Sequence, residues 1–120
     1  MTKGQMEAQI SEAIIKFEKE YLGRGPVETK TYILKDLIMI RLKGVLTPAE
    51  EQLSKSAEGA KLIKETRVRL LEGARFLLEN MISGIVGCGV KSLHTDISTK
   101  TGERIIIFTL EQDLESKLNG

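Results

Sequence analysis

The segment from His94 to Leu110 limits the possible folds more than any other stretch of this chain. Its second half, Arg104 to Leu110, is a β-branched apolar run. Extended, it places Ile105 and Ile107 on one side and Ile106, Phe108 and Leu110 on the other. A strand apolar on both sides belongs in the middle of a sheet, with neighbours on each edge. Its first half is mixed: His94, Asp96 and Ser98 share one side, and Leu93, Thr95 and Ile97 the other. Between the halves lies the polar loop Ser98-Thr99-Lys100-Thr101-Gly102. Gly102 stands at the loop's end, where a longer hairpin loop often needs positive φ. The segment therefore reads as a hairpin whose first strand starts at about Val90.

A second hairpin precedes it. Thr29 to Leu34 alternates weakly and keeps several polar residues, as an edge strand does. Leu37 to Leu42 is apolar on both sides as far as Met39, which suits a central strand, and Lys35-Asp36 makes the turn. Helices flank both hairpins. Met6, Ile10, Ile14, Phe17 and Tyr21 fall at spacings of three and four, predicting a helix from about Gln5 to Leu22 closed by Gly23. Glu7, Glu12, Lys16, Glu18 and Lys19 fill its outer face. Thr47-Pro48-Ala49-Glu50 is a capping box with proline at the first helical position, opening a helical region that runs to about Ser83. Gly59 marks a bend or break in it, because glycine costs about 1 kcal/mol against alanine inside a helix. The order α-β-β-α-β-β gives an α+β fold with a four-stranded antiparallel sheet, an N-terminal helix and a long, broken central helical region. With both apolar strands in the middle, the strand order is 1-2-4-3. Helices cover one face of such a sheet, so the other needs cover from elsewhere, and a homodimer supplies it economically. Leu114 and Leu118 close the chain at helical spacing.

The chain of 120 residues suits a single domain over 1–120. Charge is balanced, with 18 basic against 17 acidic residues, so no basic face marks it for nucleic acid. Cys88 is the sole cysteine, which rules out a disulfide or a cysteine zinc site within one chain and fits a reducing cytoplasm. Met1 to Gln5 leads into a charged amphipathic segment and not a signal peptide. No stretch approaches the roughly 20 apolar residues that span a bilayer.

Three places carry candidate chemistry. His94 and Asp96 lie on one side of a strand about 7 Å apart, where with Ser98 or Glu103 they could serve acid–base or metal chemistry. They are thin as a ligand set, and a surface or interface hydrogen-bond pair is the alternative. Ser98, Thr99, Lys100 and Thr101 offer hydroxyls, amides and a charge to an anion, as do Arg24 and Arg104, while a solvated turn explains the loop equally well. Gly23-Arg24-Gly25-Pro26 lacks the strand-before, helix-after setting of a phosphate loop and reads first as a helix stop. Arg67, Arg69 and Arg75 read as a solvated edge with Glu65, Glu72 and Glu79. No catalytic residue, metal or cofactor is assigned.

Three blocks carry a resemblance: Gly23 to Pro26, Arg41 to Glu50, and His94 to Arg104, in that order and over nearly the whole chain. They resemble the MpsC family, a domain of unknown function named for a sodium-translocating, membrane-potential-generating system. The resemblance implies an accessory subunit with components of a membrane transport complex as partners. It brings no catalytic residues. A non-enzymatic, cytoplasmic interaction domain is the first reading, a small-ligand or anion sensor using Arg24, Lys100 and Arg104 is the alternative, and an enzyme or metal site at His94 and Asp96 comes after it.

Overall fold

The structure, a computed structural model, describes residues 1–119. Helix α1 (Lys3–Leu22) begins two residues earlier than the apolar spacing suggests. Thr2 caps it: its hydroxyl accepts from the Gln5 amide, and the Gln5 side chain accepts from the Thr2 amide. Strands β1 (Glu28–Leu34) and β2 (Leu37–Lys43) follow, then α2 (Pro48–Leu53), α3 (Ala57–Val86), β3 (Val90–Ser98) and β4 (Glu103–Leu110). A short 3₁₀ turn at Glu115–Lys117 comes last and seats Leu114 in the core.

The sheet is antiparallel in the order β1-β2-β4-β3. Ile40 faces Ile106 and Ile38 faces Phe108 across the central pair, so the two most apolar strands meet in register. One side of the sheet is the core side: Ile38, Ile40, Leu42, Arg104, Ile106, Phe108 and Leu110 are all buried there. The helices lie on that side, α1 against β1 and α3 against β3. On edge strand β1, the Ile33 amide donates to Glu7 of α1 at 2.8 Å, so the helix layer satisfies an edge donor. Among the described residues, no helix lies on the opposite side of the sheet. Tyr32 and Met39 are exposed there, and Ile105 and Ile107 are half-buried.

The break in the helical region falls at Ser54 to Ser56, just before Gly59. Ser56 caps α3 by accepting from the Gly59 amide at 3.0 Å. A Cβ on Gly59 would lie 1.9 Å from the Leu53 carbonyl oxygen, so glycine is what lets α3 turn so closely under the end of α2. Gly102 holds φ +73, as the loop requires, and its amide donates to Ser98 O at 2.8 Å.

Candidate functional site

Four charged side chains meet between the helices and the core side of the sheet. Glu18 comes from α1, Glu50 from α2, Arg67 from α3 and Arg104 from β4. Glu18 is 1% exposed, Arg104 2% and Arg67 4%. The outer face of α1 for Glu18 and a solvated edge of neighbouring charges for Arg67 are the expectations from sequence; both side chains are instead inside. Each lies on an apolar row. Glu18 is four residues beyond Ile14, and Arg67 is four from both Ile63 and Leu71, so packing those rows carries the charges inward. Arg104 shares the side of β4 that carries Ile106 and Phe108.

Arg67 is fully engaged on one side. Its Nε donates to Glu50 Oε2 at 2.9 Å, and its Nη2 donates to Glu50 Oε1 at 2.6 Å and to Val45 O at 3.1 Å. Glu50 is at the same time the capping residue of α2, accepting from the Thr47 amide at 2.9 Å while its own amide donates to Thr47 Oγ1. The capping box thus orients the carboxylate that orients Arg67. Burial alone would raise the Glu50 pKa, but the hydrogen bonds from Arg67 and Thr47 outweigh it and hold the carboxyl below its ordinary value.

Arg104 differs. Its Nε stands 3.9 Å from Glu18 Oε1, close enough for charge attraction and too far for a hydrogen bond. Arg104 Nε and Nη1, Arg67 Nη1 and Glu18 Oε1 are buried without a partner among the described residues. Burial pushes the Glu18 carboxyl up, with Arg104 and Arg67 opposing, and pushes Arg104 down, with Glu18 opposing. Each buried donor left without a partner costs about 1–3 kcal/mol, so the arrangement is an expensive one. Arg67 and Arg104 line a cavity of about 20 Å³ together with Lys64, Thr95 and Asp96. A larger groove of about 370 Å³ shares Lys64, Asp96 and Ile97 with it and continues along Ser98, Thr99 and Lys100.

The residues singled out from the sequence fall in three places. Arg24 is half-buried, and its Nη1 donates to Leu46 O at 2.9 Å, which ties the loop after α1 to the loop before α2. His94 is exposed on the helix-free side of the sheet, with Nε2 3.0 Å from Ser92 Oγ. Asp96 is exposed, accepts from the Ile97 amide and pairs with Lys64 at 3.5 Å. These bonds direct His94 and Asp96 to different partners. Glu103 pairs with Arg41 at 2.8 Å. Among the described residues, no three His, Cys, Asp or Glu side chains gather as a metal set would. In the loop, Ser98 Oγ accepts from the Thr101 amide and Thr101 Oγ1 from the Glu103 amide, which are turn-forming bonds. Lys100 is exposed. The groove joins Ser98, Thr99 and Lys100 to the cavity where Arg104 sits.

Residues 2–112 match the family described as "Na+-translocating membrane potential-generating system (MpsC)". The chain belongs to the MpsC family. All four members of the charge cluster lie inside the matched MpsC span. This MpsC chain is 50% identical over 117 residues to "Uncharacterized protein YbcI" of Bacillus subtilis (strain 168), covering 98% of this chain and 94% of that protein. It is 21% identical over 111 residues to "Uncharacterized protein YrhF" of the same strain, covering 91% and 90%. No solved structure matches it. Among the described residues no helix is long and apolar enough to cross a membrane.

Proposed function

We propose that this MpsC protein is a non-enzymatic, cytoplasmic accessory domain that works by protein contact, as a homodimer, in a cation-transport or membrane-potential-generating system. The observation that carries the reading is the outer face of α3. Phe76 is 77% exposed, and Leu62, Leu70 and Leu77 are exposed along the same turns of the helix. Apolar surface of this kind, rimmed by charge, marks an interaction site more often than a solvated helix face. The helix also fits a second copy of itself. With the buried Arg67 set aside, residues 57–71 carry three cations against two anions, and residues 72–86 carry one cation against two anions. Two α3 helices running antiparallel about a two-fold axis set these unlike halves against each other. This moves the pairing from the helix-free side of the sheet, where the apolar strands alone would put it, to α3; the sheet side, with Tyr32 and Met39 exposed, then remains for a different partner. The family description supports the choice of system, and the exposed apolar face of α3 supports action by contact.

Light scattering at micromolar concentration tests the pairing. The full chain should give twice its 13.4 kDa mass, and Phe76→Glu with Leu70→Glu should halve that value with the helical signal kept. A monomer at every concentration would contradict the dimer. Retention of transporter subunits from detergent-solubilised membranes on the immobilised wild-type protein would support the accessory role, and an empty eluate would count against it.

A further inference from the structure

The cavity beside Arg67 and Arg104 has more donors than it can satisfy. Among the described residues, three guanidinium nitrogens here, Arg67 Nη1 and Arg104 Nε and Nη1, lack partners, against one unpartnered acceptor beside them, Glu18 Oε1. Both arginines are more than nine-tenths buried, so solvent does not supply the missing acceptors. A cavity of about 20 Å³ has room for one water, but a water accepts two hydrogen bonds at most and brings donors of its own. An oxyanion accepts more and donates none. The planar fork of arginine matches a carboxylate or a phosphate, and charge decides between them.

The charges around the cavity set the valence. Lys64, Arg67 and Arg104 face Glu18, Glu50 and Asp96, so the cluster is neutral when every group is ionised. Lys64 is paired with Asp96 and Arg67 with Glu50, which leaves only the loose Arg104–Glu18 contact to respond to an incoming charge. Of the three cations only Arg104 lacks a close partner, so it can balance one negative charge, and the two of a phosphate exceed it. The cavity is too small for more than the head of a ligand. The groove that shares Lys64, Asp96 and Ile97 is large enough for a body, and Ser98, Thr99 and Lys100 line it.

We propose that Arg104 and Arg67 bind the carboxylate of a small monocarboxylic acid, which enters past the Lys64–Asp96 pair and lays its remainder along the Ser98–Lys100 loop. This site is separate from the outer face of α3 and does not depend on the dimer. The loop thereby acquires a role that its own turn-forming bonds do not give it.

Calorimetric titration of the full-length protein with sodium acetate tests the site, with acetamide as the neutral, equal-sized control and sodium fluoride fixing the ionic strength. Acetate should bind saturably at one per chain, and acetamide should give no heat of binding. Arg104→Lys keeps the charge and removes the fork, so affinity should fall about tenfold or more. Should that variant not fold, Lys64→Ala, at a half-exposed position, is the second arm and should weaken acetate about threefold through lost attraction. Crystals soaked in bromoacetate should show the bromine anomalous peak in the groove by Ser98. Equal heats for acetate and acetamide, acetate affinity unmoved in the folded variants, or a single water in the cavity of acetate-soaked crystals would overturn the proposal.

Discussion

Arg67 reaches from α3 to the start of α2 and donates three hydrogen bonds, whereas Arg104 reaches from β4 toward α1 and donates none among the described residues. The two guanidinium groups share a cluster and nearly the same burial. What separates them is the carboxylate each one meets. Glu50 is held by the capping box of α2 before Arg67 arrives, and it retains some contact with water. Glu18 sits alone on α1, fully buried, with no other group to fix it and one oxygen unpartnered. A buried charge pair helps a fold only where its geometry is good and its remaining donors are met; otherwise desolvation outweighs attraction. The Arg67 side of the cluster meets that condition and reads as architecture, joining α2, α3 and the loop after β2. The Arg104 side does not, and reads as a place held open.

The largest effect that would break this contrast is at Glu18. Glu18→Leu leaves Arg104 buried without a counter-charge and should cost about 3–5 kcal/mol in a urea melt. A cost below about 1 kcal/mol would mean that Arg104 has another partner, and the contrast would fail. Exchange of arginine for lysine sharpens it. Arg67→Lys loses the fork on Glu50 and the bond to Val45 O, so about 1.5–3 kcal/mol should go. Arg104→Lys gives up no direct hydrogen bond, and its cost should stay near 1 kcal/mol or less. Similar losses at both positions would remove the distinction.

The pH dependence separates the two carboxylates by sign. The Glu18 pKa is raised above its ordinary 4.5, so the folded chain holds the proton more tightly than the unfolded one. The stabilisation from this is full below pH 4.5 and is lost as pH rises through the folded pKa. The Glu50 pKa is lowered, so its contribution is full above 4.5 and is lost as pH falls through the folded pKa. Melts from neutral pH down through 4.5 should show wild type gaining on Glu18→Gln as the pH falls toward that value. Below it, wild type should lose ground to Glu50→Gln. The same sign for both variants would contradict the environments described.

Much of the fold was legible because it depends on local pattern. Two strands apolar on both sides had to be central, and that alone orders the sheet β1-β2-β4-β3 once the hairpins are seen. Thr47, Pro48 and Glu50 announce α2 in four residues. The cluster was harder. Glu18 and Arg67 continue apolar rows at i+4, a visible signal, yet charged residues are almost never buried unless paired. Their partners come from other elements, Arg104 being 86 positions beyond Glu18 in the chain. No helical periodicity reports a pairing between α1 and β4. Arg104 stands beside the loop, and its alternation with Ile106 and Phe108 puts it on the core side of β4. The sequence did not reveal that Glu50, read as a cap, is also the carboxylate that holds Arg67.

The most direct test replaces each pair by apolar residues of similar length and compares the two doubles in urea. Glu18→Leu with Arg104→Met should leave stability within about 1 kcal/mol of wild type or above it, because that pair recovers little of its desolvation cost. Glu50→Leu with Arg67→Met should lose about 2–4 kcal/mol, because it removes the Glu50 half of the α2 capping box and strands the Val45 carbonyl. Equal losses, or a larger loss in the Glu18 and Arg104 double, would contradict the account of one arginine locked and the other left free.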